Sequence, residues 1–245
     1  MNGIEAQPVP PVLCIHGLTA GYDAQPVLRD VNLQVAIGEW CVVLGPNGSG
    51  KSTLLYAAAG LLPPRSGRIE LSGVPLDDRA AAKRTLGYGC APERLPGLLT
   101  GLQCLQVYAA AKGLMEIDRG VLELAEALAL SGQLERYVDT YSLGMRQKLA
   151  VLLALIGSPR LIVLDEAFNG LDPASAAILK HHLRRLVDEQ RAAVLLATHA
   201  LEIAERYADR VVLLLEGRVR QEWDGAQLAA GKPLEELLAA AAGAP

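Results

Sequence analysis

The chain has 245 residues, half of them hydrophobic and a fifth charged, with a formal net charge of −4. That length and composition supply a full core, as one large domain or a core with a smaller lobe, and exclude an intrinsically disordered chain. The slight negative charge gives no polyanion-binding surface, so direct contact with nucleic acid is not expected.

With a single phenylalanine, the core must be filled by Leu, Val, Ile and Ala. The four cysteines, Cys14, Cys41, Cys90 and Cys104, lie far apart and form no CxxC pair. They read as buried small hydrophobes of a reducing compartment rather than as metal ligands or a disulfide framework. The start, Met1 to Pro11, holds Glu5 and three prolines with no basic start or apolar run, so no signal peptide is expected. The longest uncharged apolar stretch, Leu149 to Gly157, is too short to span a bilayer. The expectation is a soluble, cytoplasmic protein.

In chain order, strands are predicted over Val12–Leu18, Val31–Val35 and Glu39–Leu44, rich in β-branched or apolar residues and separated by Gly and Pro. A helix follows over Ser52–Ala59, ended by Gly60, then a turn at Pro63–Gly67 and a strand over Arg68–Leu71. From Ala91 to Leu149 the pattern turns helical, with apolar residues at helical spacing over Val121–Leu130 and Leu143–Ile156. Strand–helix alternation then resumes: strand Leu161–Leu164, helix Pro173–Leu186, strand Ala193–Thr198, helix Ala200–Tyr207, strand Arg210–Leu215. Such alternation predicts an α/β fold, a parallel sheet covered by helices with a helical subdomain inserted. From Gly225 onward a terminal helix is expected, with Ala239–Pro245 a frayed tail.

The third strand runs directly into Gly45-Pro46-Asn47-Gly48-Ser49-Gly50-Lys51-Ser52-Thr53, which fits GxxxxGK[ST] in a strand–loop–helix context. Backbone N–H groups of such a loop, with the N-terminal end of the following helix, wrap phosphates. Lys51 is expected at the β- and γ-phosphates of ATP and the Ser52 hydroxyl on Mg²⁺. Chance alone produces the four fixed positions in a chain of this length about once in a hundred. Further on, the apolar strand Leu161–Leu164 ends in Asp165-Glu166. Alone, that pair would be a strand end in a turn. With the phosphate loop present, Asp165 is placed to hold Mg²⁺, and Glu166 to orient and deprotonate the attacking water.

Between these motifs lies Tyr141-Ser142-Leu143-Gly144-Met145-Arg146-Gln147-Lys148, opening an apolar helix for which Ser142 is a good N-cap. Here the chain resembles the nucleotide-binding subunits of ABC transporters, whose signature helix, usually LSGGQ, sits between the same two motifs. The resemblance covers Val12 to Trp223. It implies a P-loop NTPase (RecA-like) core over 12–90 and 157–223, with an N-terminal antiparallel β part. A helical signature subdomain would occupy 91–156, with a terminal helix and tail over 224–245, the whole forming one ATPase domain. It further implies that Ser142 and Gly144 contact the γ-phosphate of ATP held by a partner subunit. Gly170-Leu171-Asp172 matches the loop at the dimer interface, His199 in Thr198-His199-Ala200 the γ-phosphate switch, and Tyr22 the aromatic that stacks on adenine. His16, His181 and His182 match nothing and read as structural.

The chain departs from the family pattern twice. Leu143 and Met145 replace the usual glycine and glutamine of the signature, a form similar to the ABC-2-type exporter branch. In the segment Leu86–Glu93, Ala91 falls where the family carries a Mg²⁺- and water-contacting glutamine, with Glu93 two positions later. The resemblance therefore implies a Mg²⁺-dependent ATPase driving an exporter. It would work as a homodimer or heterodimer of ATPase subunits held on the cytoplasmic face of the membrane by a separately encoded permease. The alternative is a soluble ATPase of the same family in an assembly complex, such as iron–sulfur cluster assembly. A kinase-type P-loop protein would lack the Ser142–Gly144 element and the His199 switch.

Overall fold

A computed structural model describes residues 11–23, 25–76, 84–229 and 233–243. Residues 1–10, where no signal sequence was expected, and the last two residues of the expected tail lie outside them. Two sheets organise the chain. Strands β1 (Pro11–Ala20), β2 (Leu28–Ala36), β4 (Ser66–Leu71) and β5 (Val74–Pro75) form an antiparallel sheet in the order β2-β1-β4-β5. On β2 the buried residues Leu28, Val31, Leu33 and Val35 are interleaved with exposed Arg29, Asp30, Asn32 and Gln34, so one face meets the core and the other water.

The second sheet has the order β10-β9-β3-β8-β7-β6. Strands β3 (Trp40–Leu44), β6 (Leu86–Gly89), β7 (Leu161–Asp165), β8 (Ala193–Ala197) and β9 (Arg210–Leu215) are parallel, and β10 (Arg218–Asp224) returns antiparallel on the edge. Both faces are covered, so β3 and β8 are buried along their whole length and read as unbroken apolar runs rather than alternating ones. One face, with Cys41, Val43, Val163, Leu195 and Val212, packs on helix α1 (Lys51–Ala58) and the antiparallel sheet. The other, with Val42, Ile162, Leu164, Val194 and Leu196, packs on helices α2 (Gly101–Ala111), α3 (Arg119–Ala127), α4 (Leu143–Leu155) and α5 (Pro173–Asp188). Helix α6 (Leu201–Tyr207) links β8 to β9, and α7 (Gly225–Ala229) and α8 (Leu234–Gly243) follow β10.

The mixed α/β fold agrees with the expectation, and several elements correct it. Helix α3 stops at Ala127, not Leu130, because the chain turns through Ala129 at φ +53°. Strands β6 and β10 and helix α2 were not foreseen. The region after Gly225 is two short helices, and α8 runs into the expected tail as far as Gly243. Of the cysteines, Cys41 and Cys104 are buried, whereas Cys14 and Cys90 are half-buried; all four are free thiols. Among the described residues no helix is long and apolar enough to cross a membrane.

Candidate functional site

Three neighbouring parallel strands, β3, β8 and β7, end at one edge of the sheet, with Val43 opposite Ala197 and Asp165 opposite Ala197 on the other side. The carboxyl edge of such a sheet is where its loops converge on a ligand. From β3 comes the loop Gly45–Gly50, from β7 the pair Asp165-Glu166, and from β8 the pair Thr198-His199. The topology thus gathers residues far apart in sequence.

The loop turns into α1 through Gly50, whose φ of +106° a side chain would resist. No side chain caps α1, so the N–H groups of its first turn are left facing the loop. The Lys51 ammonium is nearly buried and donates to the carbonyl oxygens of Gly45 at 2.7 Å and Pro46 at 3.2 Å. Ser49 is buried and its hydroxyl has no partner among the described residues. Beside Lys51, the Ser52 hydroxyl lies next to the Asp165 carboxylate. Burial pushes the Asp165 carboxyl above its usual range, opposed by the Ser52 hydroxyl and the nearby Lys51 charge. An uncapped helix start, a buried cation and an orphan hydroxyl fit a polyphosphate. Two adjacent hard oxygen donors, Ser52 and Asp165, fit Mg²⁺. Tyr22 is exposed on the β1–β2 connection, whose end at Val27 and Leu28 packs beside Gly50.

Glu166 opens a turn in the left-handed region, at φ +48°. Its N–H donates to Ala197 O at 2.9 Å, and its carbonyl accepts from Asn169 N at 3.1 Å. Its carboxylate is held on both oxygens. Oε2 accepts from Thr198 Oγ1 at 3.1 Å and from Asn169 Nδ2 at 3.2 Å, and Oε1 stands 2.9 Å from His199 Nδ1. A carboxylate only accepts, so Nδ1 carries the proton and Nε2 is left toward solvent. The structure thus brings Lys51, Ser52, Asp165, Glu166 and His199 together. Sequence reasoning did not single out Asn169 or Thr198 as partners of Glu166. The signal was Asn169 itself, three residues after the carboxylate, where a turn folds its amide back.

The signature segment is placed otherwise. Ser142 caps α4 by accepting from Met145 N at 3.2 Å, and Leu143 is exposed. Among the described residues no hydrogen bond joins Ser142 or Gly144 to the phosphate loop. Their neighbour is the turn after Glu166: a Cβ on Gly144 would lie 3.0 Å from Gly170 O. Lys148 meets Asp172 at 3.3 Å. Asp172 in turn caps α5 through Ser175 N and Oγ, bonds that hold its carboxyl well below the usual carboxylate range. Ala91 presents only a methyl group ahead of a 3-10 turn over Pro92–Arg94, and Glu93 is exposed. The Arg94 guanidinium covers the Tyr56 ring at 4.9 Å, which ties that turn to α1.

The family described as "ABC transporter" matches residues 28–169, more than half of the chain. An "Uncharacterized ABC transporter ATP-binding protein YdbJ" of Bacillus subtilis (strain 168) is 35% identical over 86% of the chain and 69% of its own length. The "Phosphonates import ATP-binding protein PhnC" of Hyphomonas neptunium is also 35% identical, over 85% of each. A solved "ATP binding subunit of ABC transporter" superposes with a TM-score of 0.83 at 34% identity, over 94% of this chain and 99% of that one.

Proposed function

Because the chain belongs to the ABC transporter family, as one of its ATP-binding, ATP-hydrolysing cassettes, we propose that it is the motor of an exporter. It works as a nucleotide-sandwich dimer on a separately encoded membrane permease. The observation that carries this is the divided site. Lys51, Ser52, Asp165, Glu166 and His199 converge within one protomer, while Ser142 and Gly144 stand apart from the phosphate loop. A helix start with a hydroxyl and free N–H groups is suited to a γ-phosphate, and a second copy can supply it.

In this reading Tyr22 stacks on adenine, and the backbone of Gly45, Pro46, Asn47, Gly48, Ser49, Gly50 and Thr53 wraps the phosphates. Lys51 leaves its carbonyl partners for the β- and γ-phosphate oxygens. Ser52 and Asp165 would hold Mg²⁺, which when bound would supply charge neutralisation at the phosphates. Glu166 takes a proton from water as the water oxygen bonds to the γ-phosphorus and the bond to the bridging oxygen of ADP breaks. His199, oriented through Nδ1 by Glu166, presents Nε2 to the γ-phosphate. Ser142 and Gly144 of the other protomer close the cage. Export is favoured by the Tyr-Ser-Leu-Gly-Met form of the signature.

The deciding variant is Glu166→Gln. It should keep ATP binding, lower turnover by about a hundredfold or more, and accumulate an ATP-dependent dimer on gel filtration. Turnover at the parental rate would remove Glu166 from the role of base. Purification from native cells should bring down a polytopic membrane protein, and vesicle assays with that protein read the direction of transport. Recovery with cluster-assembly proteins instead would overturn the transporter reading.

A further inference from the structure

We propose that Thr198 and Asn169 are positioning residues that occupy one oxygen of Glu166, leaving the other as the oxygen that takes the proton. This rests on the reading of Glu166 as base. A carboxylate oxygen offers two lone-pair directions. Both directions on Oε2 are used, by Thr198 Oγ1 at 3.1 Å and Asn169 Nδ2 at 3.2 Å. Among the described residues only His199 meets Oε1, at 2.9 Å, so Oε1 keeps a free pair. The attacking water is therefore met by Oε1, next to the imidazole that faces the γ-phosphate.

The two donors are themselves fixed. Thr198 is buried, and its N–H donates to Val43 O at 3.2 Å. Its Oγ1 accepts from Ala200 N at 3.1 Å, which turns the hydroxyl proton toward Glu166. Asn169 is anchored by its own N–H on Glu166 O, and facing an acceptor-only carboxylate it can present only its NH₂ group. A glutamate at φ +48° would otherwise have its side chain swing with a strained turn. Asn169 closes that turn with its backbone and holds the carboxylate with its side chain, so both halves of the strain are countered by one residue.

The test pairs isosteric losses with a conservative replacement. Thr198→Val and Asn169→Leu each remove a donor with little change of volume and no new charge, whereas Thr198→Ser keeps the hydroxyl. Misplacing a reacting group by a fraction of an ångström costs large factors in rate, so the first two should lower kcat about tenfold or more. KM for ATP, and the affinity of the isolated protein for a fluorescent ATP analogue, should stay within about twofold. ATP-bound dimer should persist longer on gel filtration in proportion to the lost kcat. Thr198→Ser should recover most of the rate. In a Glu166→Gln background neither donor change should lower the residual rate further, because the group they position is already disabled.

An inactive Glu166→Gln protein with parental kcat in Thr198→Val and Asn169→Leu overturns the clamp alone. So does a tenfold loss that persists in the Glu166→Gln background. Parental turnover in Glu166→Gln by itself overturns the base assignment and takes the clamp with it.

Discussion

Helix α1 begins at the phosphate loop and α4 at the signature segment that stands apart from it, and their first turns are finished in opposite ways. At α1 the preceding residue is Gly50, no side chain caps the helix, and Lys51 folds onto the carbonyls of its own loop. At α4 the Ser142 hydroxyl accepts from Met145 N, the ordinary satisfaction of a helix start. The first helix start is complete only when an anion supplies the missing acceptors; the second is complete already and has only its remaining N–H groups to lend. In the proposed sandwich one end is the receptor of the isolated protomer, and the other meets a phosphate that a second protomer brings to it.

Changes at the two ends should separate binding from assembly. Lys51→Ala is the most damaging, since it removes a nearly buried charge meant for phosphate oxygens. ATP affinity of the isolated protein should fall about a hundredfold, measured by equilibrium titration. An affinity within a factor of two of the parent would show that the backbone alone holds the nucleotide. Ser142→Ala should leave that affinity unchanged but lower ATPase about tenfold, through a lost donor to the partner's nucleotide. It should also lower unfolding stability by about 1 kcal/mol through the lost cap, read from urea denaturation. Loss of affinity in the isolated protein would place Ser142 in its own protomer's site and break the contrast. The smallest effect is expected at Ala91→Gln. Ala91 is half-buried and caps the 3-10 turn with its backbone alone, so the change should alter ATPase by about twofold or less. A larger rise in ATPase, or a changed ratio of transport to ATPase, would give the position a coupling role that its methyl group does not perform.

The legible parts of the molecule were those where one local rule dominates. The strand–loop–helix around Lys51, the apolar run ending at Asp165 and the Ser142 cap each state their geometry in a few adjacent residues. Strand β6 was missed because Leu-Gly-Tyr-Gly has poor strand propensity. Its glycines answer a tertiary demand: a Cβ at Gly87 would lie 1.8 Å from Ala154 O, so α4 can pack on this strand only if that carbon is absent. Strand β10, Arg-Val-Arg-Gln-Glu-Trp-Asp, hid behind its polarity, since an edge strand with one buried anchor, Trp223, has little apolar pattern to show. Helix α2 did carry a local signal, the Thr100–Gln103 capping box, in which each side chain bonds the other's backbone N–H. The carboxylate cluster was half visible. Glu166 and His199 stand at motif positions and Asn169 lies on the same turn as Glu166, but the hold of Thr198 on Glu166 depends on the register of β7 against β8, which no local pattern encodes.

The close approach of Gly144 to Gly170 O, with the Lys148–Asp172 pair, ties the start of α4 to the turn after Glu166. In the proposed sandwich each protomer lays its Glu166 on one nucleotide and its Ser142 on the other, and the two are joined inside that protomer by this tight fit. Movement of the turn carrying Glu166 toward α4 would press on the segment that holds Ser142. In that sandwich, an event at one nucleotide would be felt at the other through a single protomer.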